Sequence, residues 1–308
     1  MRARSNPLDS VVYIQSQVPE RAMTAEILGT ERSGHGVRIR EDGLIATVGY
    51  LVLEAEHIWI RSREGQGATA YIVAQDFDSG ITLLKPTLAL EGSYLVPGLS
   101  NELAVDEPLL VYRSDHDEAF TCTLFARQEF AGRWEYLLDY ALFTSPGCND
   151  WAGAALVDQY GQLCGVGSLL MELHQDDEEE LLGNMFIPID MVSPYLDEMC
   201  EFGQRREPPK PWMGALIQEY EGKLVVTGVY PGCPADLAGI KPGDVVLSVD
   251  DEPVNNLSGI FRKVWSLGSA GVEVPLLVSS AGSLRNCLLK SIDRSIFYRS
   301  AAAAGQVN

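Results

Sequence analysis

The feature that most constrains the fold is a long series of short apolar runs before residue 190. The runs lie at residues 37–39, 43–48, 57–60, 71–73, 81–84, 108–112, 120–125 and 134–138. Gly, Asp and Pro separate the runs, and helix signals are sparse. Turn residues at intervals of about 8–12 residues are typical of an all-β sandwich or barrel. This part of the chain is therefore predicted to be mainly β.

The β pattern ends near residue 190. Asp190 precedes an amphipathic run at 191–200, which predicts a helix with an acidic N-cap. A charged, Pro-rich stretch follows this helix and is the best candidate for a linker. We expect a first domain at 1–203, a linker at 204–210, a second domain at 211–297 and a flexible tail at 298–308.

Composition excludes several functions. The 308 residues carry a net charge of −20, which argues against binding to nucleic acid or to an anionic membrane surface. No apolar segment approaches the roughly 18–20 residues that a membrane-spanning helix needs. No signal-peptide core precedes the first apolar run, so we expect a cytoplasmic protein, or a periplasmic one if the sequence is a processed form. The 6 cysteines are scattered without a Cys-x-x-Cys motif, and we expect no metal and no cofactor.

Three segments carry a closer resemblance to a known family. Residues 146–157 read Pro-Gly-Cys-Asn-Asp-Trp-Ala-Gly-Ala-Ala-Leu-Val and lead through a Gly turn into another apolar strand. Residues 34–52 and 71–85 combine apolar runs with Asp-Gly and Asp-Phe-Asp-Ser-Gly turns. These segments resemble those that carry the catalytic residues of HtrA (Deg) serine proteases. The resemblance implies a trypsin-like double six-stranded β-barrel.

The same resemblance locates the family's catalytic His, Asp and Ser on Tyr50, Gly80 and Ala152. A phenol with a pKa of about 10 is a poor base at neutral pH, and neither Gly nor Ala offers a reacting group. Asp150 also places a carboxylate beside the expected oxyanion site, where it would oppose developing negative charge. We therefore expect a pseudoprotease with no catalytic residues.

Other candidate bases and nucleophiles have weak sequence support. The histidines, His35, His57, His116 and His174, are interpreted as turn or surface residues. Cys148 lies near the expected oxyanion loop and is interpreted as an inert thiol, because no base is expected within its reach.

The run at 128–139 combines aromatic and acidic residues, with Trp134 and Tyr136 near Glu129 and Glu135. The rings can pack together on a strand pair. Alternatively, the run forms a surface for a partner or ligand.

The second domain resembles the PDZ domains attached to HtrA proteases. Residues 234–246 read Pro-Ala-Asp-Leu-Ala-Gly-Ile-Lys-Pro-Gly-Asp-Val-Val, and this match is long and specific. The resemblance implies an α+β domain that captures protein or peptide C-termini by strand addition. The alternative is that the chain's own linker or tail fills the groove. The predicted peptide-binding residues are Trp212, Met213, Gly214, Ala215, Leu216, Ile217, Ile260 and Val264.

Three functions follow from these patterns. The first is a catalytically inactive scaffold or adaptor that binds polypeptides through the PDZ domain. The second is a serine-type endopeptidase with displaced machinery, and a His close to a Ser, Thr or Cys in the barrel cleft would favour it. The third is a structural subunit of a larger protein complex.

Overall fold

The computed structural model describes residues 6–175 and 179–304. The chain forms two compact units. The first comprises the chain up to residue 20 together with 24–129 and 139–206. The second comprises 21–23, 130–138 and the chain from residue 207 onward. A short segment far from the second domain in sequence, 130–138, therefore packs with that domain.

Within the described residues, the first barrel closes in the order β1-β2-β3-β6-β5-β4. Its strands show the alternation expected of a half-buried sheet, as in β4, where Ile58 and Ile60 point inward between exposed neighbours. A short helix, α1 (Ala25–Leu28), precedes β2. The strands are β1 (Val11–Gln17), β2 (Glu31–Arg38), β3 (Ile45–Val48), β4 (His57–Arg61), β5 (Gly67–Asp76) and β6 (Ile81–Pro86).

The second barrel, over the residues that the structure describes, closes in the order β10-β11-β12-β9-β8-β7. Leu109, Leu124 and Phe186 are among its fully buried core side chains. The predicted trypsin-like double six-stranded β-barrel is confirmed. The strands are β7 (Pro108–Tyr112), β8 (Phe120–Gly132), β9 (Tyr136–Ser145), β10 (Ala155–Val157), β11 (Leu163–Gln175) and β12 (Glu179–Pro188).

The first unit ends in a helix and an anchored segment. The helix α2 (Leu196–Phe202) begins later than predicted, and two 3-10 turns fill the stretch after β12. Asp190 does not cap this helix, because its carboxylate accepts hydrogen bonds from Ser100 and Tyr140. In the predicted linker, Arg205 forms a largely buried ion pair with Asp76 and donates to the Met191 carbonyl. The start of the linker is therefore held on the first unit.

The second unit is built on a sheet in the order β13-β14-β15-β17-β18, with β16 paired to β15. Only one side of β13 is paired within this sheet, so β13 is an edge strand. The predicted helix at 257–267 is present as α4 (Leu257–Ser266), and its N-cap is the side chain of Asn256. The other elements are β13 (Ala215–Tyr220), β14 (Lys223–Val229), α3 (Pro234–Leu237), β15 (Val245–Val249), β16 (Glu252–Pro253), β17 (Glu273–Ser280) and β18 (Ser283–Lys290).

The chain after β18 forms a helix, α5 (Arg294–Ala304). Phe297 and Tyr298 are buried, with their ring centroids 4.9 and 6.0 Å from that of Trp212. A flexible tail was expected from residue 298, but the helix continues through this position because its aromatic side chains bury against Trp212. Residues 305–308 of the expected tail lie outside the described residues.

Candidate functional site

The cleft of the first unit brings the loops that hold Tyr50, Gly80 and Ala152 together. The Gly49 amide donates to the Gly80 carbonyl at 2.7 Å. The Tyr50 hydroxyl and the Trp151 indole N–H both donate to the Ser168 carbonyl, at 2.8 and 3.1 Å. The protease-like cleft is therefore folded as a connected site, although its side chains differ from a Ser-His-Asp set.

These side chains provide no base or nucleophile. Burial raises the pKa of Tyr50 further above its ordinary value, while a hydrogen bond from Trp151 opposes the rise. A phenol with a raised pKa stays protonated at neutral pH, and its O–H is already donated to a carbonyl. Gly80 has φ +79° and ends the turn before β6. Ala152 contributes a methyl group and a carbonyl, which accepts the His35 amide at 2.8 Å.

The carboxylate that precedes Gly80 by four residues has a structural role. Asp76 is buried and accepts hydrogen bonds from the Ser79 hydroxyl and amide. It also pairs with the guanidinium of Arg205 at 2.5 Å. These partners orient the carboxylate toward the turn and the start of the linker.

His35 lies close to a serine, which is the geometry that favours the endopeptidase alternative. It lies in β2, not in a turn as the sequence suggested, and is only 3 % exposed. Its Nδ1 lies 2.8 Å from the Ser114 hydroxyl and 3.2 Å from the Ser114 amide nitrogen. Its Nε2 lies 2.9 Å from the Asp150 carbonyl oxygen. Because a carbonyl accepts and an amide donates, Nε2 carries the proton and Nδ1 accepts from Ser114.

Burial lowers the pKa of His35 to about 4, while the hydrogen bond to Asp150 and the nearby Asp115 charge oppose the change. The imidazole is therefore neutral at pH 7 and resists taking up a proton. A general base is most effective when its pKa lies near the working pH. The third member of a triad is also different here, because a backbone carbonyl takes the place of a carboxylate.

Cys148 is placed as an inert thiol. It is buried, its amide donates to Asn184 Oδ1 at 2.7 Å, and burial raises the pKa of its thiol. The expectation of a non-reacting cysteine agrees with this environment.

Membrane spans and metal sites are two further features to consider in residues 6–175 and 179–304. None of the helices there has both the length and the apolar character that crossing a membrane requires. In the same residues, no group of three or more His, Cys, Asp or Glu side chains is placed to hold a metal ion.

The predicted carboxylate-binding loop of the second unit is formed, and it is occupied. The amide of Met213 donates to Glu135 Oε2 at 2.9 Å. The amides of Gly214 and Ala215 donate to Glu135 Oε1 at 2.6 and 3.0 Å. Three consecutive N–H groups therefore converge on one carboxylate, which is the arrangement that captures a peptide C-terminus.

Gly214 is needed for the close approach of the backbone at this loop. It has φ +84°, and a Cβ atom there would lie 2.4 Å from the Cβ atom of Cys233. A side chain at this position would therefore displace the loop from α3. The sequence-based choice of Gly214 as a loop residue fits this geometry.

The rest of the predicted groove is closed rather than open. Ile260 and Val264 lie on one face of α4 and have no exposed surface. Trp212, Met213, Ala215 and Ile217 are also buried, and Leu216 is half-buried. The Ile217 amide donates to the Arg133 carbonyl at 2.8 Å. Segment 130–138 therefore provides the groups that meet the loop amides and the free edge of β13, whereas the C-terminal helix α5 packs on Trp212.

Comparison with known proteins agrees with this architecture. The model of the PDZ domain family matches residues 225–276. A probable periplasmic serine endoprotease, DegP-like, from Hahella chejuensis is 25% identical over 269 residues, which cover 82% of this chain and 55% of the relative. The serine endoprotease DegS of Escherichia coli K12 is 25% identical over 263 residues, which cover 80% of this chain and 72% of DegS. Over most of its length, this chain is therefore similar to HtrA-type serine endoproteases.

Solved structures of similar fold extend the comparison over almost the whole chain. A variant of the HtrA-type protease AlgW, solved with a tripeptide, has a TM-score of 0.57 at 19% identity. It covers 93% of this chain and 94% of its own. The serine endoprotease from Yersinia pestis has a TM-score of 0.52 at 21% identity. At these identities the likeness concerns the fold. The HtrA/DegP-like chain spans 55% of the length of the DegP-like relative, about half of it.

Two features of this HtrA/DegP-like chain were not predicted from its sequence. The contact of His35 with Ser114 joins residues 79 positions apart, and no local motif marks it. The contact of Glu135 with Gly214 joins residues 79 positions apart as well. The aromatic and acidic run at 128–139 was the sequence signal for the second contact, because one of its two interpretations was a surface for a partner or ligand. Its rings do pack together, with Trp134 and Tyr136 stacked at 5.5 Å.

Proposed function

We propose that this chain is a catalytically inactive, HtrA-like polypeptide-binding protein that acts as a scaffold or adaptor through its PDZ domain. The observation that carries the proposal is the convergence of the Met213, Gly214 and Ala215 amides on a carboxylate. A loop that holds a carboxylate in this way has the chemistry to hold the C-terminus of another chain. The tripeptide in the AlgW structure is consistent with peptide recognition in a protein of similar fold.

The absence of hydrolysis is part of the same proposal. Tyr50, Gly80 and Ala152 stand at the positions of the family's catalytic residues. Without a base, a nucleophile or an orienting carboxylate, only binding contributions to catalysis are left. Casein, incubated with the protein, is expected to stay intact. Turnover above a buffer control that a fluorophosphonate blocks would contradict the proposal.

Peptide binding is tested by titrating the full chain onto a fluorescent decapeptide that ends in valine with a free carboxylate. The matched control is the same decapeptide with a C-terminal amide. We expect micromolar binding of the acid, on the order of −7 to −8 kcal/mol, and much weaker binding of the amide. Equal affinities would show that the loop does not read the terminal carboxylate.

A second candidate function is a serine-type hydrolase that uses Ser114 and His35. The observation that favours it is the distance of 2.8 Å between the Ser114 hydroxyl and His35 Nδ1. The lowered pKa of His35, about 4, disfavours it, because the imidazolium would form at a cost during proton transfer. Rapid fluorophosphonate labelling that Ser114→Ala abolishes and Ser168→Ala preserves would establish this activity.

A further inference from the structure

Glu135 occupies a turn position where a glutamate is unusual. The turn at residues 133–135 connects β8 to β9, and Glu135 has φ +56°. In a three-residue hairpin loop, a left-handed residue is usually Gly, which adopts this conformation without strain. A glutamate at this position costs backbone energy that Gly would save. Contacts of its side chain can offset that cost.

The Glu135 side chain does what a peptide C-terminus would do. Both carboxylate oxygens accept hydrogen bonds from the loop amides, and the residue is only 6 % exposed. The Arg133 carbonyl, two residues earlier, accepts the amide of Ile217 on β13. A bound peptide in strand addition makes the same two kinds of contact, one at its carboxylate and one along its main chain.

A cation on α5 supports the docked hairpin. Arg294 donates to the Trp134 carbonyl at 3.3 Å, and its charge favours the ionised form of Glu135. The same guanidinium lies 5.8 Å from the ring centroid of Trp212, at the start of the carboxylate-binding loop. Arg294 therefore contacts both the occupant and the loop.

We infer that the hairpin tip at 130–138 is an internal ligand of the PDZ loop, and that an external peptide binds only after Glu135 has left that loop. This inference rests on the proposed peptide-binding function and adds the regulation of the same site. A terminal carboxylate and the Glu135 carboxylate need the same three amides. The apparent affinity for a peptide is then reduced by the fraction of molecules in which the loop is free.

The occupant also defines the partner that can replace it. The partner must present a carboxylate to the three amides and an extended main chain to β13. A chain end with a free carboxylate provides both groups. An amidated end or an internal segment without a well-placed acidic side chain lacks the first and does not displace the hairpin.

The test uses the full chain and the variant Glu135→Ala, which removes both acceptor oxygens. Glu221→Ala is the matched control, because Glu221 is an exposed glutamate with φ +49° in the β13–β14 turn of the same unit. Hydrogen exchange of residues 212–217 reports whether the loop amides are covered. The valine-ending decapeptide, as free acid and as amide, reports whether the loop is available.

We expect Glu135→Ala to speed exchange of the loop amides and to raise affinity for the acid peptide, each by about tenfold or more, because the acceptor oxygens of three hydrogen bonds are lost. Glu135→Gln should change both in the same direction by less, since its amide oxygen still accepts while its NH₂ faces a donor. Should one variant fold poorly, the other gives the same comparison.

The outcomes separate this inference from the proposed function. Equal affinity of the wild type and Glu135→Ala for the acid peptide would overturn the internal ligand and leave peptide binding intact. Unchanged exchange at residues 212–217 would overturn it as well. Absence of binding to all variants would instead remove the proposed function, and the internal ligand with it.

Discussion

The barrel cleft and the PDZ carboxylate loop differ in which atoms would carry their chemistry. In the cleft, the proposed lack of hydrolysis rests on the side chains of Tyr50, Gly80 and Ala152, which offer no base, orienting carboxylate or nucleophile. In the loop, the binding groups are backbone amides of Met213, Gly214 and Ala215. Backbone amides persist through almost any substitution that leaves the loop conformation intact. A site made of backbone atoms is therefore less sensitive to substitution than a site made of side chains.

The largest expected effect concerns the carboxylate next to the cleft. Asp76→Ala should destabilise the first unit by about 3–5 kcal/mol, because it leaves Arg205 as a largely buried charge without this carboxylate. Chemical denaturation followed by tryptophan fluorescence measures the change in the free energy of unfolding.

Asp42→Ala is the matched control for that experiment. Asp42 pairs with Arg40 and Lys85 at the surface, so its loss should cost about 1 kcal/mol or less. Similar effects of the two substitutions would mean that Asp76 is not the structural anchor inferred from its contacts. The Asp76 carboxylate would then be available for chemistry near the cleft. The barrel cleft and the carboxylate loop would differ less than the comparison above states.

A second prediction concerns pH and the docked hairpin. Burial raises the pKa of Glu135 to about 7, against the opposing effects of the Met213, Ala215 and Gly214 amides and the Arg294 charge. The Cys233 thiol also interacts electrostatically with Glu135. Burial raises the pKa of this thiol, so the thiol stays neutral. The docked state binds a proton more tightly than the undocked one. Docking is therefore strongest at low pH and weakens as pH rises through about 7.

Between pH 5.5 and 7.5, the docking equilibrium should fall on the order of tenfold, because the pKa is raised from 4.5 to about 7. Exchange of the amides at 212–217, corrected for the intrinsic pH dependence of exchange, measures it. Glu135→Ala should remove the extra pH dependence. A corrected exchange rate that falls with rising pH would reverse the assigned sign.

A third prediction concerns the cation that supports the hairpin. Arg294→Ala removes the bond to the Trp134 carbonyl and the charge near Glu135. We expect the hairpin to undock more often, with a loss of about 1–3 kcal/mol in protection of the loop amides. Arg299→Ala on the same helix is the control, since Arg299 is exposed and donates to Ser295 on its own helix. Equal effects would assign the change to α5 as a whole.

The smallest expected effect is none. Ala152→Ser introduces a hydroxyl at the proposed nucleophile position. Tyr50, at the proposed base position, has a raised pKa and cannot take its proton, so the serine pKa should stay far above neutral. The rate at which a fluorophosphonate probe labels this variant should match the rate for the wild type. Rapid labelling of this variant would reveal a base in the cleft. The barrel cleft, like the carboxylate loop, would then still have functional groups in place.

Much of the fold follows from local sequence. The alternation in strands such as β4, the Gly-rich turns and the PDZ run at 234–246 are local patterns, and each led to the observed element. Helix α2 was placed less well, because the packing of Asp190 against Ser100 and Tyr140 replaced the expected cap. Tyr298 was assigned to a tail because its burial depends on Trp212, 86 residues earlier in the chain.

By itself, the sequence determined the architecture, because strand periodicity and turn chemistry are local properties. It also led to the proposal that Tyr50, Gly80 and Ala152 replace a catalytic triad, which rests on local resemblance. It also identified the carboxylate loop, since only Gly permits the backbone approach at residue 214. Tertiary structure alone decided that Glu135 occupies that loop and that His35 bonds Ser114. Hydrogen bonds between residues distant in sequence depend on how strands converge in space, and no periodicity along the chain encodes them.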